Sequence, residues 1–142
     1  MSATAIADHA LLSDRHSSAL VDRAGSVEWL AFPRFDSPSV FGRLLDPRAG
    51  HWQIRPSGEW ASRRRYLDRT LALETTFSTQ GGAVQVLDLL NQGASGPLPW
   101  AELARDIRPE RGGVPMRRRG RCSTGPGRGP GCGTCRSCTR AT

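Results

Sequence analysis

Apolar positions in this chain alternate more often than they recur at helical spacing, and the alternation is clearest between residues 71 and 90. Leu71, Leu73, Thr75 and Phe77 share one parity, while Ala72, Glu74, Thr76 and Ser78 share the other. Period two puts one set on a buried face and the other towards solvent, the signature of a half-buried strand. Gln80-Gly-Gly82 then supplies a turn into Ala83–Leu90, a second β-rich run, so the two segments predict a hairpin. Ser18–Val21 and Val27–Phe32 predict another, joined by Asp22-Arg-Ala-Gly25, where glycine makes a positive φ inexpensive. Ala5–Leu12 is a mostly apolar run, and His51–Arg55 reads as a short strand.

Between the hairpins the pattern changes. Asp36-Ser37-Pro38 carries a helix-start signature, with Asp36 or Ser37 as cap and Pro38 at the first helical position. Val40, Phe41, Leu44 and Leu45 would share one face of that short helix, and Asp46-Pro-Arg-Ala-Gly50 would end it. Residues 56–66 read as an exposed connection, with Arg63-Arg-Arg65 as a solvated charge run. Pro99–Arg105 fits one helical turn or the lead into a further strand. The fold class expected is mainly β, a sandwich-type domain over residues 1–116.

Composition changes the picture only at the end of the chain. Residues 1–116 hold 13 Arg against 13 Asp and Glu, whereas residues 117–142 hold 7 Arg and no acid. The whole net charge of +7 therefore belongs to the last 26 residues, and the body gives no electrostatic hint of a partner. That tail has no Val, Ile, Leu, Met, Phe, Trp or Tyr, but six Gly, two Pro and all four Cys. With little to bury against the entropy of ordering, residues 117–142 are expected to be a disordered Arg/Gly/Cys-rich tail.

Three readings of the tail compete. Cys122, Cys132, Cys135 and Cys138 could offer four thiolates to zinc, although structural sites more often pair two CxxC units. An Arg/Gly segment could bind nucleic acid through phosphates, but this one lacks the interleaved aromatics of such segments, and nucleic acid is not an expected partner. The third reading fits best: Arg, Gly, Pro, Ala and Cys are what GC-rich DNA encodes out of frame. No apolar run is long enough to cross a membrane as a helix, and the first residues lack a basic start followed by an apolar core. A cytoplasmic setting is the resulting expectation.

Residues 6–45, with the core Pro33-Arg-Phe-Asp-Ser-Pro-Ser-Val-Phe41, resemble the start of bacterial glycoside hydrolase family 15 proteins, the trehalase-like and glucoamylase-like enzymes. Those begin with a β-sandwich domain of the form SDCHSAALV…DGSIDWLCFPRFDSPSVFGALL. The likeness continues through Gly50–Pro56, Arg65-Tyr66, Leu73–Phe77 and the Val84–Leu89 run, and more weakly to Met116. Arg15 and Ala31 stand where the family often has Cys, and Ala24 where an Asp is common.

The resemblance implies cleavage of α-glucosidic bonds, such as those of trehalose or malto-oligosaccharides, with inversion and without a cofactor. It places the two catalytic glutamates in an (α/α)6 barrel that follows this domain, so the chain alone is expected to be inactive. Inversion needs two carboxyl groups roughly 6.5–9.5 Å apart around a sugar pocket, and Glu28, Glu59 and Glu74 sit in strands or connections that suggest no such pocket. No catalytic residue is assigned. The candidate sugar contacts are Trp29, Arg34, Phe35 and Asp36; the competing reading makes them a structural turn or a docking surface for the barrel. A stand-alone carbohydrate-binding module is the alternative. His9, His16 and His51 read as surface or turn histidines, Asp14 and His16 as a turn cap, and Trp52, Trp60 and Trp100 as core or interdomain anchors.

Overall fold

The computed structural model describes residues 4–91 and 102–122. They form two antiparallel sheets. The first contains β1 (Ala10–Ser13), β2 (Ser18–Val21), β3 (Ser26–Ala31), β4 (Ser39–Phe41), β5 (His51–Pro56) and β10 (Met116–Arg121), in the order β1-β2-β3-β5-β10 with β4 also on β3. The second contains β6 (Ala61–Tyr66), β7 (Leu73–Thr79), β8 (Gly82–Leu90) and β9 (Leu103–Gly112), in that order. A single 3-10 turn, Ile6–Asp8, precedes β1.

Both predicted hairpins form. Leu73, Thr75 and Phe77 are buried while Glu74 and Thr76 are only half so, as the alternation requires. In the β2–β3 turn, Asp22 Oδ1 accepts the backbone N–H groups of Ala24 (2.9 Å) and Ser26 (2.7 Å), and Gly25 has φ +68°. A Cβ on Gly25 would strike the Ile54 carbonyl oxygen, so the close approach of this turn to β5 also requires glycine. Ile54 N donates to Gly25 O at 3.0 Å.

Three expectations fail. Residues 36–45 form no helix: Ser39–Phe41 pairs with β3, Phe41 opposite Leu30, and Leu45 is left 77% exposed. Burial of Phe41 against β3 outweighs the local capping signal of Asp36-Ser37-Pro38. The connection at 56–66 is largely strand β6, which pairs with β7 over its whole length. And β10 takes in five residues assigned on composition to the tail; its register against β5 runs from Met116↔Pro56 to Arg121↔His51. The rest of that tail, residues 123–142, lies outside the described residues, as does Trp100.

The core lies between the sheets in two clusters. One gathers Leu12, Ala19, Val21, Val27, Leu30 and Phe41 from the first sheet with Leu73 and Leu90 from the second. The other joins Ile54 to Phe77, Val84 and Val86, with Trp60 edge-on to Phe77 at 5.2 Å. Polar links close the seams between the layers. On one side Tyr66 Oη accepts from Leu11 N (2.9 Å) and donates to Leu11 O (3.1 Å), while Arg64 donates to the Val21 and Asp8 carbonyls. The middle residue of the arginine run thus crosses between sheets, whereas Arg63 and Arg65 are exposed.

The deepest link is Arg105. Its side chain and that of Asp88 are both 0% exposed, paired at 2.7 Å across β8–β9. The same guanidinium donates to the carbonyls of Trp52 (2.7 Å) and Gly25 (2.8 Å) on the other sheet, and it lies 5.1 Å from the Trp52 ring centroid. Four of the five N–H donors of the fork are used, which lets a charge persist in the interior.

Candidate functional site

The candidate residues fall at one end of the first sheet, where the β1–β2 loop meets the segment after β3. Asp14 is buried and its Oδ1 accepts the N–H groups of His16 (2.9 Å) and Ser17 (2.7 Å), closing the expected turn. Arg15 adopts φ +71°. Ser17 Oγ donates to the Ala31 carbonyl, and His16 O accepts from Phe35 N at 2.9 Å. Two loops distant in sequence are thereby fastened to each other. Within the second loop, Arg34 N donates to Ser37 Oγ (3.2 Å) and Ser37 N to Arg34 O (3.1 Å), and the Phe32–Pro33 peptide is cis.

Arg34 and Asp36 form an ion pair of 2.9 Å, with side chains 71% and 70% exposed. Phe35 between them is also exposed. The structure therefore brings Arg34, Phe35 and Asp36 together as an outward-facing triplet on a loop braced from behind. Trp29 is not part of that triplet: it is half-buried on β3, opposite Leu20. A triplet of this kind can donate hydrogen bonds, accept them and offer an apolar face, the set needed for a hydroxyl-rich ligand or for another protein surface.

A second polar group was not foreseen. His9, expected on the surface, has a side chain 0% exposed; Nε2 lies 3.2 Å from Glu28 Oε2 and Nδ1 3.0 Å from Ala5 O. Arg43 approaches the other oxygen of Glu28 at 3.5 Å. His51 stands nearby, its pKa lowered first by burial and then by the charge of Arg43, against a smaller opposing effect of Glu28. Asp22, in the turn beside them, is raised chiefly by burial, against the hydrogen bond from Ser26. Glu28 is thus occupied as a structural anion, and Glu74 is engaged by Arg65 at 2.6 Å. No spacing in the sequence joins His9, Glu28 and Arg43; only a glutamate inside an apolar strand hints that it needs buried partners.

Of the four cysteines, Cys122 follows β10, half-buried against the first core cluster; Cys132, Cys135 and Cys138 lie outside the described residues. Among the described residues no group of three or more His, Cys, Asp or Glu could hold a metal ion, and no helix is long and apolar enough to cross a membrane. An open concavity of about 700 Å3 lies on the outer face of the second sheet, lined by residues including Arg63, Thr76, Gln85 and Arg111. It shares no residue with the loop triplet.

Comparison with known proteins agrees with this architecture. The chain is 47% identical over 107 residues to a trehalase of Mycobacterium tuberculosis, an alignment covering 75% of this chain and 15% of that protein. It is 48% identical over 99 residues to a trehalase of Mycolicibacterium smegmatis (69% and 14%), and 43% identical over 95 residues to trehalase 1 of Sulfolobus acidocaldarius (66% and 16%). The chain thus spans about 15% of the length of the curated relatives it matches. No solved structure gives a significant match. The family model for the trehalase-like, N-terminal domain matches residues 1–117, and with most of the chain inside that match, this protein belongs to the trehalase-like N-terminal domain family.

Proposed function

We propose that this chain is the non-catalytic N-terminal β-sandwich of a family 15 α-glucoside hydrolase, and that the loop at residues 32–37 docks onto the catalytic (α/α)6 barrel beside its sugar pocket. The observation that carries the reading is the Arg34-Phe35-Asp36 triplet: exposed, chemically mixed, and held from behind by His16 and Ser37. A loop ordered in this way presents a docking surface at low entropic cost.

A second reading gives the same triplet direct contact with the sugar, favoured by the ion pair's two free faces and the exposed ring of Phe35. The test uses the intact Mycobacterium tuberculosis trehalase, with the positions that align with Arg34 and Phe35 changed to Ala. Docking predicts a lower melting temperature with KM for trehalose close to wild type. Sugar contact predicts a raised KM with stability unchanged. If neither parameter moves, the loop has no part in the function and both readings fall.

A further inference from the structure

Strand β6 is an arginine-bearing edge, but there Arg65 is paired with Glu74 and Arg64 donates to the Val21 and Asp8 carbonyls. Strand β10 joins the same two features, an edge and a run of arginines, without such partners among the described residues. It ends the strand order of the first sheet, so one side bonds to β5 while no described strand pairs with the other. It also carries a cationic ladder. Met116 packs against the second core cluster; Arg118 and Gly120 share its side of the strand but are exposed, Gly120 lying beside the Trp52 ring. Arg117, Arg119 and Arg121 therefore project from the outer face, roughly 6.6–6.8 Å apart by strand geometry. Directly across from them lie Arg55, Gln53 and His51.

Among the described residues no acidic side chain pairs with these arginines. Neither β5 nor β10 carries an acidic residue, and residues 117–142 contain none at all. The carboxylate of Glu28, which His51 senses, is already held by His9 and Arg43. The like-charged pair Arg117–Arg55 sits directly opposite in the ladder, an arrangement that costs stability. Arg55 also buries its Nε without a hydrogen-bond partner among the described residues. A counter-charge from outside would relieve the opposition of Arg117 and Arg55.

The chemistry selects among occupants. A second copy would set arginine against arginine in either strand direction. Nucleic acid would satisfy the charge, but β5 and β10 offer no outward Phe, Tyr or Trp for stacking, only the His51 ring, and the free edge would go unused. An extended peptide with Asp or Glu at alternate positions uses both features. Its backbone pairs with the open edge, and its carboxylates repeat at the interval of the arginines. We propose that the free edge of β10 binds such an acidic segment of a protein partner, which adds to the sheet as a further strand and pairs with Arg117, Arg119 and Arg121. This surface is separate from the loop at 32–37, and the inference does not rest on the function proposed there.

The test titrates the full chain into a fluorescein-labelled alternating Glu-Thr peptide at low salt, read by anisotropy. Binding is expected, and Arg117→Gln/Arg119→Gln/Arg121→Gln should weaken it by about tenfold or more. Arg119→Gln alone should weaken it measurably should the triple variant fail to fold. The same peptide with alternate amides N-methylated should bind as poorly as the triple variant meets the unmodified one. Arg63→Gln/Arg111→Gln, on the other sheet, should bind like wild type. The proposal is overturned if the peptide does not bind, if N-methylation is without effect, or if an oligothymidine binds more tightly. It is equally overturned if Arg128→Gln/Arg136→Gln/Arg140→Gln abolishes binding while the β10 variants retain it.

Discussion

Arg105–Asp88 and Arg34–Asp36 are ion pairs of nearly equal length, 2.7 and 2.9 Å, placed in opposite surroundings. The first is sealed between the sheets and shares its guanidinium with two carbonyls of the facing layer. The second stands in water at the end of the first sheet. In the interior each partner is essential to the other, because a lone buried charge costs far more than the pair gains. In water the pair contributes little to folding, so its side chains are available for recognition. The same two residue types thus serve architecture in one place and contact in the other.

Breaking the buried pair should have the largest effect. Asp88→Ala strands Arg105 and is expected to cost about 3–5 kcal/mol, read as a shift in the denaturant midpoint. A loss below about 1 kcal/mol would mean that the pair behaves like a surface bridge. Replacing both partners by apolar residues is often harmless elsewhere. Here it should remain destabilising, because the Trp52 and Gly25 carbonyls each lose the guanidinium as a donor, even though Gly25 O keeps the Ile54 N–H. A fully recovered double variant would place the value of Arg105 in Asp88 alone.

Intermediate effects belong to the seam. Tyr66→Phe removes a hydroxyl that serves Leu11 N and O and should cost about 1 kcal/mol. The pH dependence sharpens the contrast from another side. His51 has a folded pKa below its ordinary 6.5, so the unfolded chain binds the proton more readily. Its contribution is complete above pH 6.5 and is lost as pH falls through the lowered value. The melting temperature should therefore fall between mildly alkaline and mildly acidic buffer, and His51→Gln should flatten that slope; an unchanged slope would assign it to other groups. Smallest of all, Arg34→Ala should leave stability within about 0.5 kcal/mol of wild type, measured by thermal melting of this chain. A larger loss would make the exposed pair structural after all.

How much of this was legible in sequence depended on the range of the interaction. Period two and a glycine turn revealed the β2–β3 and β7–β8 hairpins because neighbours in the chain are neighbours in the sheet. The segment at 36–45 misled because a proline-led helix signature is local, whereas the pairing of Phe41 with Leu30 is not. Strand β6 was hidden by its arginines, two of which simply face outward while the third reaches across to the other sheet. Asp88 could have been found: it occupies an inward position in the series Val84, Val86, Asp88, Leu90, which demands a buried cation. His9 and Glu28 meet only because β1, β2 and β3 are adjacent, and no pattern along the chain encodes that. The exposed triplet was named from sequence, but its bracing by His16 required the fold.

Tyr66 carries one more consequence. It is the sole tyrosine of the chain, and its hydroxyl bridges β6 to β1 across the open side of the sandwich. Its ring resonances form a single spin system in an NMR spectrum, so that seam has a private reporter. Whether the two layers part together or peel from that edge can be followed on one side chain, without any label being introduced.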